Sequence, residues 1–178
     1  MARNRAFEVL YREFYVRVFG LCRRLLNSQE LAEDATQETF IRAYKNFGKF
    51  DSGQPFWQWI ATIANNYCMD RLRLRHRTEK LFGDEMEELD SLASNTASGV
   101  HCLIAAEDIT ALNMAVTKLS DKYRVPLVLV YYNQFSYNEV AKQLNISVSH
   151  VGVLVLRAKK QLRATLASAG KEHSSWPI

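Results

Sequence analysis

Apolar residues recur at helical spacing along nearly the whole chain, and the breaks between runs mark out its elements. Phe7, Leu10, Tyr11, Phe14, Val18, Leu21, Cys22 and Leu25 follow the three-four rhythm of a first helix that packs on one face. Asn27-Ser28-Gln29-Glu30 interrupts it and starts a second. Phe47 to Gly53 forms a turn, Pro55 suits a helix's first turn, and a third helix runs to about Arg77. The second half opens with an amphipathic helix through Ile109, Leu112, Val116 and Leu119. Ser120-Asp121 is expected to cap the next, through Val125 to Tyr132, where Pro126 must sit in the first turn or kink the helix. Ser136-Tyr137-Asn138-Glu139 has the form of a capping box, and the short helix it begins ends near Leu144. Asn145 tolerates the left-handed conformation needed to leave that helix, and Ser147 caps a final long one. With only 7 glycines and 3 prolines among 178 residues, the expected fold class is all-α: three helices in the first half, four in the second.

Charge divides the chain further. Residues 1–78 carry a net charge of +5, residues 79–105 −5 and residues 106–178 +4. Phosphates attract the two basic blocks and repel the segment between them, so two nucleic-acid-facing units on a connector are expected. The domains predicted are 1–78, an acidic flexible linker at 79–104, a second domain at 105–170 and a tail at 171–178. The linker's Gly83-Asp84-Glu85-Met86-Glu87-Glu88 and Ser94-Asn95-Thr96-Ala97-Ser98-Gly99 have little apolar surface to offset ordering entropy. Cys22, Cys68 and Cys102 are far apart and the His residues are not at ligand spacings, so neither a zinc site nor any other cofactor is expected. Cys22 and Cys68 read as core residues of a reducing compartment. The absence of a long apolar segment predicts a cytoplasmic protein without membrane insertion.

The second helix has two faces that want different partners. Ala32, Ala35, Thr36, Thr39, Phe40, Ala43 and Phe47 share one side, suited to close packing. Asp34, Gln37, Glu38, Ile41 and Lys45 share the other. An acidic, amide-bearing stripe containing an isoleucine is a poor solvent face and reads as a docking surface for a basic partner.

The pattern A-E-D-x-x-Q-E-T-F-I-R-A-Y at Ala32–Tyr44 resembles the core-polymerase-binding helix of bacterial sigma factors, specifically the extracytoplasmic-function class. The resemblance continues through Phe50-Asp51 to Arg77 and again from Leu119 to Leu166. It implies that Asp34, Gln37, Glu38 and Ile41 bind the coiled-coil clamp of RNA polymerase, and that the acidic linker runs into the polymerase channels, unless it serves as a plain spacer. The partners implied are core RNA polymerase, promoter DNA and an anti-sigma factor, with no small-molecule substrate and no catalytic residues.

The third helix carries the chemistry of single-strand recognition. Trp59, Thr62, Asn66 and Arg73 share a stripe, with Phe50, Phe56 and Trp57 at or before the helix start. Unpaired bases stack on aromatic planes and bond through their edges, while cations hold the backbone. Phe56 and one of the two tryptophans are expected to be core instead. By resemblance, this segment melts the −10 element and pockets a flipped base. Asn66 matches the family's base-contacting asparagine, with Asn65 on the adjoining face as the alternative donor. Of the alternating Arg71, Arg73, Arg75 and Arg77, Arg73 is the preferred phosphate contact.

Ser136 to Arg157 fits a helix-turn-helix, with Ala141 small at the helix crossing and Ile146 and Val151 apolar inside. It resembles the family's −35-reading domain, so Ser147, Ser149 and His150 are candidate base contacts and Arg157, Lys159 and Lys160 candidate phosphate contacts. The chain departs from the family where Gly152-Val153-Leu154 replaces a polar, cation-bearing triplet. Weak base contact, shape readout or an apolar surface for an inhibitor would each account for it. Two other functions fit parts of the chain: a stand-alone helix-turn-helix regulator, which leaves the acidic face without a task, and a hydrolase using Glu33, Asp34 and Glu38, which lacks a companion His or metal-ligand set.

Overall fold

The computed structural model describes residues 2–75 and 106–168. The predicted linker and tail lie outside the described residues, as do Arg77 and Cys102. Among the described residues seven α-helices follow one another: α1 (Ala2–Leu26), α2 (Gln29–Asn46), α3 (Phe56–Arg75), α4 (Ala106–Lys118), α5 (Asp121–Tyr131), α6 (Tyr137–Leu144) and α7 (Val148–Ser168). A 3₁₀ turn at Phe47–Lys49 joins α2 to α3. No strand occurs among the described residues, in keeping with the all-α expectation.

Local chemistry sets the boundaries. Asn27 takes a left-handed conformation to leave α1, and the Ser28 hydroxyl accepts from the Leu31 amide to start α2. Ser136 and Glu139 form the capping box, Asn145 ends α6 at φ 58°, and the Ser147 hydroxyl accepts from the His150 amide at 3.1 Å to open α7. Ser120 departs from expectation: its backbone is extended as a cap requires, but its side chain makes no capping bond. Pro126 lies inside α5 and not in its first turn.

Helices α1, α2 and α3 pack pairwise into a bundle around Val18, Leu21, Leu25, Ala35, Ala43, Ile60, Ala64 and Leu72. Cys22 and Cys68 are free thiols that share a hydrogen bond inside it; that hydrogen bond and burial hold Cys68 well above the usual thiol range. In the second half, α7 packs on α4, α5 and α6 through Val151, Leu154, Val155, Ala158 and Leu162.

The two bundles are closed on each other, chiefly through α1 against α5 and α4. Gly20 permits the close approach, because a Cβ there would stand 3.0 Å from the Tyr132 hydroxyl, which donates to the Arg17 carbonyl. Trp57 packs edge-on against Tyr132, and Arg17 lies over the Trp57 ring. The central fastening is Arg124, 2% exposed. Its guanidinium donates to the Arg24 and Leu25 carbonyls at the end of α1 and to the Leu119 carbonyl after α4. These are carbonyls that a helix end leaves without intrahelical partners. Asp121 joins Arg124 to Arg75 of α3, so one carboxylate ties the two halves together. Desolvation lowers the Arg124 pKa, and the adjacent Asp121 opposes that shift.

Candidate docking and nucleic-acid interfaces

Helix α2 divides as its sequence implies. Ala32, Ala35, Thr36, Thr39, Phe40 and Ala43 are buried against α1 and α3, and the Thr36 and Thr39 hydroxyls return their bonds to the Ala32 and Ala35 carbonyls. Phe40 meets Phe7, Tyr11 and Tyr15. On the other side Asp34 and Gln37 are exposed and Ile41 is 47% exposed. Glu38 is half-buried and receives the Arg42 guanidinium at 2.7 Å, while Arg42 also lies over the Tyr67 ring. A basic partner must therefore compete with Arg42 for Glu38, at small cost for a surface i,i+4 pair.

The turn into α3 gathers an aromatic cluster. Phe50 stacks on Phe47 with rings 6.1 Å apart, meets Phe56 edge-on and lies 5.0 Å from Trp59. Phe56 and Trp57 are core, as anticipated for Phe56 and one tryptophan, whereas Phe50 and Trp59 are half-buried. Thr62 is exposed, with its hydroxyl donating to the Gln58 carbonyl.

Asn65 and Asn66 separate sharply. Asn66 is exposed and its carbonyl oxygen accepts from Gln143 of α6 at 3.2 Å. Asn65 is fully buried and accepts from the Asn133 amide at 3.0 Å. This arrangement corrects the reading of Asn65 as the alternative base donor: 100° of helix rotation turns it from Asn66's surface inward to Asn133, in the turn that follows α5. Arg73 is exposed, 3.5 Å from Asp70 and donating to the Gln143 carbonyl at 3.4 Å. The −10 candidates Asn66 and Arg73 thus face the helix-turn-helix in the closed chain.

On α7, Ser147 is the helix cap, so its oxygen is already an acceptor; Ser149 is exposed and His150 half-buried. Arg157 is half-buried and Lys160 exposed, and Lys159 lies 4.7 Å over the Tyr131 ring. Within the departing triplet Leu154 is buried in the core, leaving Gly152 and Val153 half-exposed. A Cβ on Gly152 would touch Tyr137 at 3.7 Å.

Sequence reasoning missed the residues that close the chain: Arg124, Asn133 and Gln143. One signal was present for Arg124, a cation running directly into the apolar Val125–Val130. Such a residue is tolerated in a core only if its charge is matched. Among the described residues no cluster of His, Cys, Asp and Glu could hold a metal, and no helix is long and apolar enough to cross a membrane.

A capped helix-turn-helix on one bundle, beside a second bundle whose α2 leaves Asp34, Gln37 and Ile41 exposed, has the architecture of a DNA-binding protein. The family described as sigma-70 region 2 matches residues 10–78, and that described as sigma-70, region 4 matches residues 109–162. The chain is 34% identical to the extracytoplasmic-function sigma factor SigW of Bacillus subtilis, over 84% of this chain and 83% of SigW. It is 29% identical to SigM of the same organism, over 87% of this chain and 91% of SigM. Among solved structures, the sigma factor RpoE of Bartonella quintana, in complex with the anti-sigma factor NepR, superposes with a TM-score of 0.61 at 21% identity, covering 91% of this chain and 97% of that one. CnrH, in complex with the cytosolic domain of CnrY, gives 0.55 at 23% identity, covering 93% and 90%. The chain belongs to the extracytoplasmic-function RNA polymerase sigma factors. It is accordingly a transcription initiation factor and not an enzyme, with core RNA polymerase and promoter DNA as its partners.

Proposed function

We propose that this sigma factor holds core polymerase with Asp34, Gln37, Glu38 and Ile41, opens the −10 element with the Phe50–Arg73 surface of α3, and reads the −35 element with the start of α7. The observation that carries the reading is the division of α2, whose opposite side is wholly committed to the core while Asp34, Gln37 and Ile41 stand exposed. Apolar surface framed by carboxylates gains most from a basic partner with an apolar patch of its own. Phe50, Trp59, Thr62, Asn66 and Arg73 supply stacking planes, polar groups and a cation to unpaired bases. Ser149 and His150 approach base edges in the major groove, and Arg157 and Lys160 hold phosphates. The linker at 79–104 carries its carboxylates into a basic polymerase channel. An anti-sigma factor restrains the protein, as the complex of the structural relative RpoE with the anti-sigma factor NepR suggests.

The test is the double charge reversal Asp34→Lys with Glu38→Lys. Both positions lie outside the core, so helicity should persist while co-purification with core polymerase is lost. Normal binding by the double variant would overturn the assignment. A stand-alone regulator, in contrast, would bind its operator without polymerase.

A further inference from the structure

The recognition helix presents an apolar stripe to the outside. At 100° per residue, Ser149, Val153, Leu156 and Lys160 fall on one line, opposite the buried Val151, Leu154, Val155 and Ala158. Leu156 is 53% exposed, Val153 is half-exposed, and Val148 on the shoulder is 43% exposed. From Val148 to Leu156 the polar side chains are Ser149 and His150, and the first cation is Arg157. From Ser149 to Leu156 nothing on the line is able to make the paired hydrogen bonds by which Arg, Lys, Asn or Gln recognise guanine or adenine; its one cation, Lys160, stands a turn beyond Leu156.

Major-groove base edges offer one apolar group, the 5-methyl of thymine. Resting on the proposed placement of α7 against the −35 element, we propose that Val153 and Leu156 read thymine methyl groups, with Ser149 at the tip of the stripe. Charge complementarity favours DNA as the occupant. Helix α7 contains Arg157, Lys159, Lys160 and Arg163 and no acidic residue, and Lys160 continues the stripe itself. Val153 and Leu156 lie about 4.5 Å apart along the axis, close to the rise of one base pair, so each meets a neighbouring step. Gly152, half-exposed beside the stripe, adds no polar side chain of its own.

The probe is a promoter selected from a randomised library by holoenzyme assembled from core polymerase and the full chain. Each −35 thymine is replaced in turn by deoxyuridine, which loses the methyl and keeps every hydrogen bond. Binding should fall about fourfold at one or two adjacent positions, the weight of one methyl-sized contact. That factor should be the same at low and high salt, unlike phosphate contacts. Val153→Ala should abolish the sensitivity at one position and Leu156→Ala at its neighbour. Val153→Thr keeps the side-chain shape, should melt like the wild type and should weaken the methyl effect.

A selected −35 element without thymine, or silent deoxyuridine substitutions, would overturn the proposal while base substitutions there still altered binding. Methyl sensitivity that survives both alanine variants would also overturn it and mark the stripe as a protein-docking face. If scrambling the entire −35 segment has no effect, the placement of α7 on that element fails as well.

Discussion

The carbonyl oxygen of Asn66 accepts a hydrogen bond from the side chain of Gln143, 77 positions further along the chain. The asparagine proposed to receive an unpaired base is therefore held by the domain proposed to read the upstream element. Arg73, about two turns further along the same stripe, donates to the backbone carbonyl of the same Gln143. Base capture by α3 requires these contacts to part.

Gln143→Ala separates the two roles of Asn66. The bond is exposed, so stability should change by less than about 0.5 kcal/mol. Open-complex formation should be unchanged or increased in Gln143→Ala, yet reduced in Asn66→Ala, with one promoter position losing discrimination. Equal losses in both variants would mean that Asn66 acts only between domains. Permanganate footprinting with holoenzyme measures the outcome.

Arg124→Met should open the closed chain. It removes three bonds to helix-end carbonyls and the more deeply buried of the two counter-charges on Asp121, the other being Arg75. Breaking one side of a buried, hydrogen-bonded pair costs about 3–5 kcal/mol. The partner variant Asp121→Asn leaves Arg124 buried and unneutralised, and should be comparably harmful. Thermal melting reads the loss, and small-angle scattering should show an increased radius of gyration. An unchanged radius in both variants would place the closing energy in the Trp57–Tyr132 contact instead.

Ser136→Ala should destabilise the helix-turn-helix by about 1 kcal/mol, since it removes the hydroxyl that the Glu139 amide uses. The same cap sets a pH dependence. Bonds from the Ser136 side chain and backbone lower the Glu139 pKa below the ordinary carboxylate value. A depressed folded-state pKa contributes stability above the unfolded pKa, and that contribution is lost as pH falls through the folded value. The gap between the melting curves of wild type and Ser136→Ala should therefore narrow as Glu139 is protonated in the acid range, leaving the part due to the hydroxyl–amide bond, and widen above the carboxylate region.

Lys160→Ala should weaken promoter binding by holoenzyme similarly for all −35 variants. It should also reduce the slope of log affinity against log salt by about 0.9, the share of one phosphate contact. A change confined to one base position would assign Lys160 to base readout.

Much of the chain is legible in the sequence because its signals are local. A capping serine, the Ser136–Glu139 box and a left-handed Asn145 depend on a few neighbouring residues, and so does the small-residue face of α2. The acidic face could be read for the same reason: helix periodicity alone decides which residues stand opposite a core.

What the sequence by itself determined, then, is the seven helices of the described residues, their two groups and the side of α2 on which Asp34, Gln37 and Ile41 stand. Tertiary structure alone decided that the two groups close on each other, that Asn65 turns inward to Asn133, and that Arg124 is buried. It also turned Leu154 into the core while leaving Val153 and Leu156 on the surface of one helix. The physical reason is range. Caps and faces are settled within a few residues, whereas a buried guanidinium is stable only when carbonyls about 100 positions away converge on it. No pattern along the chain encodes that convergence.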